Sequence, residues 1–168
     1  MNDRVFDELV RTHEVALATF ARSLTRDRWS AEEAVQETLV RAWKYLDTFD
    51  RRGSFEGWLL RICRNVVIDQ ANNAARRPTT VQADELDRMI PPLEIDATHE
   101  LIELLHQLSV DHREVLVIVG VLGLSYEEAA GALDVPIGTV RSRLGRARQS
   151  FNELLVGAQL DSLPAGAA

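Results

Sequence analysis

Apolar residues recur at helical spacing along most of the chain, and stretches of strict apolar–polar alternation are rare. This period predicts helices over about Asn2–Leu24, Ala31–Leu46, Phe55–Ala75, Thr98–Gln107, Asp111–Leu122, Tyr126–Leu133 and Ile137–Leu155. One stretch, Val115–Gly123 (VLVIVGVLG), is rich in β-branched residues and would suit a buried strand. The helical pattern that enters it from Asp111, and the glycines that end it, favour a helix instead. Two S-x-x-E sequences, Ser30–Glu33 and Ser125–Glu128, match the capping box, in which a hydroxyl and a carboxylate reciprocally satisfy two orphan amides. The expected fold is all-α.

The periodicity lapses between the two groups of helices. Residues 78–97 (PTTVQADELDRMIPPLEIDA) hold three of the five prolines, no apolar face and a net charge of −4. They read as a flexible acidic linker between two small helical domains, 1–77 and 98–158, followed by a disordered tail at 159–168. No apolar run approaches the ~18–20 residues of a membrane span, and the N-terminal segment MNDRVFDELV is charged and amphipathic, so a cytoplasmic chain is expected. A single cysteine, Cys63, excludes an internal disulfide and a cysteine-based zinc cluster. His99 and His106 could share a helix face, but no histidine stands in an HExxH pattern, and neither metal nor cofactor is expected. No nucleophile–base pair or phosphate-binding loop is visible, so the chain is not read as an enzyme and no small-molecule substrate is expected.

Charge changes this picture at one place. The chain carries a formal net charge of −7, yet Gly138–Arg148 (GTVRSRLGRAR) packs four arginines into eleven residues. Tyr126–Leu133, a turn through Asp134-Val135-Pro136, and a helix from Ile137 form a candidate helix-turn-helix, with Ala129 and Ala130 permitting a close crossing. At 100° per residue, Ile137, Val140, Leu144, Ala147 and Phe151 fall on one side and should face the core. Gly138, Ser142, Gly145, Arg146 and Gln149 fall opposite, with Arg141 and Arg148 on one flank and Arg143 on the other. The small residues at the middle of that face allow close approach to a DNA groove. Arg146 could fork onto a guanine edge, and the flanking arginines could hold phosphates.

The N-terminal half offers two further candidate surfaces. On the helix from Ala31, the residues Ala31, Val35, Leu39, Ala42 and Leu46 form the expected core stripe. Opposite them Glu33, Gln36, Glu37 and Lys44 surround Val40, a small apolar spot suited to protein docking. The loop Asp50–Ser54, basic and glycine-containing, then precedes a helix displaying Arg61, Arg64 and Asn65. Cations beside the aromatics Phe49, Phe55 and Trp58 would suit single-stranded nucleic acid, although Trp58 reads better as core.

These segments are recognisable together. SAEEAVQETLVRAW followed by FDRRGSFEGWLLRICRNVVID resembles region 2 of the extracytoplasmic-function (ECF) sigma factors of the sigma-70 family, and LSYEEAAGALDVPIGTVRSRLGRAR resembles their region 4. The resemblance implies a promoter-specificity subunit of bacterial RNA polymerase. It implies a docking face for the β′ clamp helices formed by Glu33, Gln36, Glu37, Val40 and Arg41, and a region 4 contact to the β flap. It further implies that Arg51, Arg52, Gly53, Ser54, Arg61, Arg64 and Asn65 meet the −10 element. Thr139, Arg141, Ser142, Arg143, Gly145, Arg146 and Arg148 would meet the −35 element. An anti-sigma factor is the implied regulator. From the residues alone, an autonomous helix-turn-helix regulator, or a sigma-like domain that sequesters an anti-sigma factor, remains the alternative.

Overall fold

A computed structural model describes residues 3–50, 53–76 and 97–161, and among these the regular structure is helical, with no strand. The N-terminal half is a three-helix unit: α1 (Asp3–Leu24), α2 (Arg28–Lys44) and α3 (Phe55–Arg76), with a 3₁₀ turn at Leu46–Thr48. Each helix packs on the other two. Leu17, Phe20 and Ala21 of α1 meet Leu59, Leu60, Cys63 and Val66 of α3, all essentially excluded from solvent. The buried line of α2 is Ala31, Ala34, Thr38 and Ala42. These are small residues, which lets α2 lie close against its neighbours. The Thr38 hydroxyl sits inside this core because it donates to the Ala34 carbonyl at 2.6 Å, which satisfies its buried O–H. Burial pushes the Cys63 thiol up to about 12, which leaves it a packing residue.

The expected bounds, cap and core stripe of α2 are corrected. The helix begins at Arg28 rather than Ala31, because Asp27 is its N-cap and accepts from the Ser30 amide at 2.7 Å. Ser30 is thereby drawn inside the first turn, and its hydroxyl donates to Asp27 instead of opening a capping box. The helix also stops at Lys44, and Leu46 is buried from the following 3₁₀ turn. Val35 and Leu39 are only partly buried.

The second half comprises α4 (Ala97–His106), α5 (Val110–Val115), α6 (Tyr126–Leu133) and α7 (Ile137–Asp161). The β-branched run does continue α5, but as a π-helical turn over Leu116–Val121, closed by a bond from the Leu122 amide to the Val117 carbonyl at 2.9 Å. Gly123 then turns the chain with φ +77°, a conformation that glycine adopts without Cβ strain. The capping box at Ser125 is present: its hydroxyl accepts from the Glu128 amide, and the Glu128 carboxylate accepts from the Ser125 amide at 2.8 Å. α7 runs to Asp161, past the expected start of the tail at residue 159. Asn2, the expected linker up to residue 96, and residues 162–168 lie outside the described residues.

The two halves pack against each other. α6 lies along α3, where Gly57 leaves room: a Cβ there would sit 3.5 Å from the Glu128 carbonyl oxygen. α4 and α5 lie against α1. Arg113 of α5 is buried in a cage of carbonyls, donating to Leu105, His106 and Leu108 of its own half and to Ser23 at the end of α1, at 2.9–3.2 Å. Four carbonyl acceptors at a helix C-terminus and a tight turn are what a planar five-donor guanidinium can satisfy at once.

Candidate nucleic-acid interface

α6 and α7 form a helix-turn-helix. Their contact is made by Ala129, Ala132 and Leu133 of α6 and Val140, Leu144 and Ala147 of α7, all nearly or wholly buried. Between them Asp134 adopts the left-handed conformation (φ 56°, ψ 47°) as the C-cap of α6, which aspartate tolerates better than most residues. Pro136 cannot extend α6, and its carbonyl accepts from Thr139 and Val140 to start α7.

This packing sets the rotation of α7. Gly138, Arg141, Ser142, Gly145, Arg146, Arg148 and Gln149 are exposed, and Thr139 is half-buried. Among the described residues, no side chain or foreign backbone approaches within 4 Å of a Cβ at Gly138 or Gly145, and both are exposed. Arg141 rests over the Tyr126 ring of α6 at 5.7 Å. Arg146 and Arg148 have no ion-pair partner among the described residues. Arg143 differs: it turns back onto Asp111 of α5 at 2.7 Å and is mostly covered.

The loop before α3 is built around Ser54. Its hydroxyl accepts from the Gly57 amide at 3.2 Å, so Ser54 caps α3. Gly53 is exposed and its amide bonds the Asp50 carbonyl at 2.9 Å. Arg51 and Arg52 lie outside the described residues. Phe49, Phe55 and Trp58 form one aromatic cluster with ring centroids 5.3–5.5 Å apart, and His13 joins it beside Phe55. Trp58 is half-buried in that cluster, with Phe55 fully buried, in keeping with a core role for both. On α3, Arg61 and Asn65 are exposed, while Arg64 is largely covered. Arg64 donates to Glu114 at 2.8 Å, and Arg61 lies 3.6 Å from Asp134.

The third surface runs along α2 and α3. Glu33, Gln36, Glu37, Val40 and Arg41 line one shallow groove of about 380 Å³, together with Asp69, Gln70 and Asn73 of α3. Val40 is 62% exposed at its centre. Arg41 ties the two helices together, bonding Glu37 at 2.8 Å and Asp69 at 2.7 Å; these bonds raise its pKa further. The α3 residues of this groove escape sequence reasoning, because their membership depends on how α2 and α3 cross. Glu114 and Arg113 escape it too, although a charged pair inside an apolar run (HREVLVIV) was a signal that something must face them. Among the described residues no three His, Cys, Asp or Glu side chains gather as a metal site, and no helix is long and apolar enough to cross a membrane.

Comparison with known proteins identifies these surfaces' family. The sigma-70 region 2 family matches residues 9–77, and the sigma-70 region 4 family matches residues 98–151. A probable RNA polymerase sigma-C factor of Mycobacterium bovis is 34% identical over 162 residues, covering 88% of this chain and 86% of that protein. The sigma factor RpoE of Bartonella quintana, solved in complex with the anti-sigma factor NepR, superposes with a TM-score of 0.75 at 31% identity, covering 90% of this chain and 97% of the other. CnrH, solved in complex with the cytosolic domain of CnrY, superposes with a TM-score of 0.72 at 33% identity, covering 93% and 90%. The fold and its helix-turn-helix are those of a sigma-70 family transcription-initiation factor. Within that family the chain belongs to the ECF sigma factors.

Proposed function

We propose that this sigma factor divides its work between 1–77 and 98–158, joined by 78–97, with the residues assigned as follows. The groove around Val40 docks the β′ clamp helices through Glu33, Gln36, Glu37, Val40 and Arg41, while the second half meets the β flap. Arg141, Ser142, Gly145 and Arg146, with Thr139 beside them, read the −35 element, and Arg148 holds a phosphate. The loop Arg51–Ser54, with Arg61, Arg64 and Asn65, meets an unstacked base of the −10 element. No catalytic group takes part, and the site of action is the cytoplasm, where the polymerase is. Regulation is by an anti-sigma factor, as the RpoE–NepR and CnrH–CnrY complexes suggest by likeness.

The observation that carries this reading is the free arginine face of α7. An acidic chain keeps Arg141, Arg146 and Arg148 exposed on one face of α7, while its carboxylates engage Arg41, Arg64 and the flanking Arg143. Phosphate neutralisation supplies most non-specific DNA affinity, so a basic chain would bind DNA everywhere. An acidic chain with one compact cationic face binds poorly alone and gains affinity when polymerase adds contacts. Run-off transcription with purified core enzyme on a promoter library tests it. Transcripts from a subset sharing −35 and −10 sequences are expected; transcription no different from core enzyme alone would refute it.

A further inference from the structure

Behind the loop Asp50–Ser54 stands a polar pair at the rim of the three-helix core. The His13 imidazole of α1 places Nδ1 3.2 Å from Oε2 of Glu56, in the first turn of α3. Both side chains are mostly covered, at 20% and 22% exposure. The His13 ring also leans on Phe55, with centroids 5.6 Å apart and a tilt of 41°. Phe55 in turn meets Phe49 and Trp58, so the aromatic cluster pins the chain on both sides of the loop. His13 thus touches the two residues that follow Ser54, one through its ring and one through a nitrogen.

The α1–α3 seam is apolar, made by Leu17, Phe20 and Ala21 against Leu59, Leu60, Cys63 and Val66. Those residues set how the two helices meet, and an ion pair at the rim adds little to that. What the pair does fix is the place of one charge. Glu56 is the acidic residue of the first turn of α3, and the positive end of a helix dipole draws a carboxylate toward the helix start. At that start lies the loop, whose Ser54 caps α3 through the Gly57 amide at 3.2 Å. A carboxylate swung that way would stand two residues from Ser54 and repel the phosphates of a strand held at the loop. His13 takes it on the other side. At 100° per residue, Glu56 lies about 180° around α3 from Asn65 and about 140° from Arg61, toward α1.

We propose that His13 is a positioning residue for promoter opening: it holds the Glu56 carboxylate against α1 and out of the path of the −10 strand. The proposal rests on the −10 assignment made above. His13 touches no base and acts through Glu56 alone. It therefore matters only while position 56 carries a negative charge, and that condition separates it from a residue that merely supports the fold.

Stopped-flow fluorescence tests this, using the full chain, core enzyme and a library-selected promoter with a fluorescent base in its −10 segment. Varying the promoter concentration separates binding from opening. His13→Leu keeps an apolar side chain against Phe55 and frees Glu56. It should leave promoter binding within ~2-fold of wild type and slow opening by ~5-fold at low salt, the effect of one uncompensated charge near phosphates. The deficit should shrink as salt is added, because ions screen that charge. Glu56→Gln alone should open the promoter at least as fast as wild type. The double variant His13→Leu with Glu56→Gln should return to the wild-type rate, since no carboxylate is left to hold back. Should His13→Leu melt early, His13→Phe, whose ring keeps the Phe55 contact, takes its place with the same expected rates. Opening by the position 13 variant as fast as wild type, or a double variant as slow as the position 13 variant, would overturn the proposal. Failure of the wild-type chain to open any promoter would overturn the −10 assignment and this inference with it, and it is distinguishable because no variant is involved.

Discussion

Asp111 of α5 holds the guanidinium of Arg143 at 2.7 Å, so one of the four arginines near the start of α7 faces its own domain rather than outward. The helical wheel places Arg143 on the flank of the proposed DNA face, and the structure shows what that flank touches. The α5 helix, unseen in a wheel of α7 alone, supplies the counter-charge. Arg143→Ala should therefore lower thermal stability by ~1 kcal/mol or less, the worth of a partly exposed ion pair, and leave the salt dependence of promoter binding by holoenzyme unchanged. Arg148→Ala should do the reverse: the fold keeps its stability, all promoters weaken about equally, and the magnitude of the salt slope falls by ~0.9. Equal changes in slope for both variants would place Arg143 on DNA after all.

Arg146 stands on the exposed side of α7, with no carboxylate partner among the described residues. A guanidinium there can make two parallel bonds to guanine O6 and N7. Arg146→Ala should cost ~1–3 kcal/mol at cognate promoters and relax preference at one −35 position. Promoter-library selection with wild-type and variant holoenzyme gives the comparison. A uniform loss across all positions would make Arg146 a phosphate contact instead.

Val40 lies at the centre of the α2–α3 groove, 62% exposed and away from the buried line of Ala31, Ala34, Thr38 and Ala42. Val40→Asp should change folding stability by no more than ~0.5 kcal/mol, as surface substitutions do. It should nevertheless weaken capture by core polymerase by ~2 kcal/mol or more, because a docked carboxylate would be desolvated without a partner. Competition for core enzyme against a second sigma factor measures this, and unchanged competition would remove the groove from the docking surface.

Glu114 carries a pH signature. Burial raises its pKa above the ordinary 4.5, and attraction to Arg64 only partly offsets that. Its ionised form is thus less comfortable in the folded chain than in the unfolded one. The corresponding stability is fully present below 4.5 and is lost as pH rises through the elevated value. Glu114→Gln keeps an oxygen to accept from Arg64 and removes the buried charge. It should melt no lower than wild type at pH 7, with the difference closing as pH falls below the elevated value. A variant that melts well below wild type at neutral pH would show that the ion pair, rather than the oxygen acceptor, holds α5 to α3.

Local pattern carried most of the fold. Helical period located every α-helix of the described residues, and the capping box at Ser125 read correctly because nothing nearby competes for its amides. The identical pattern at Ser30 did not, because Asp27, three residues earlier, takes the Ser30 amide for itself. The run Leu116–Val121 reads as helix by period, but no period distinguishes a π turn from an α turn when every side chain is apolar. The arginine face of α7 was legible for the same reason as the helix: its core stripe fixes its outer side. Arg64 was not, since its partner is fifty residues away and depends on how α5 meets α3. Spacing along one helix reveals which side chains share a face, and only tertiary packing reveals what that face meets.

Asn65 provides the most direct test of the central claim, that this chain brings core polymerase to a promoter and opens it. It is exposed on α3, one residue beyond Arg64, where a flipped base could be held. Unstacking a base costs a few kcal/mol, and a pocket hydrogen bond worth ~1 kcal/mol returns part of it. The measurement is permanganate footprinting of a library-selected promoter with core enzyme, wild-type chain and Asn65→Ala. Reactive thymines in the −10 segment are expected with wild type, and slower, weaker reactivity with Asn65→Ala at unchanged −35 protection. A promoter on which the wild-type chain and core enzyme together leave every thymine unreactive would contradict the account.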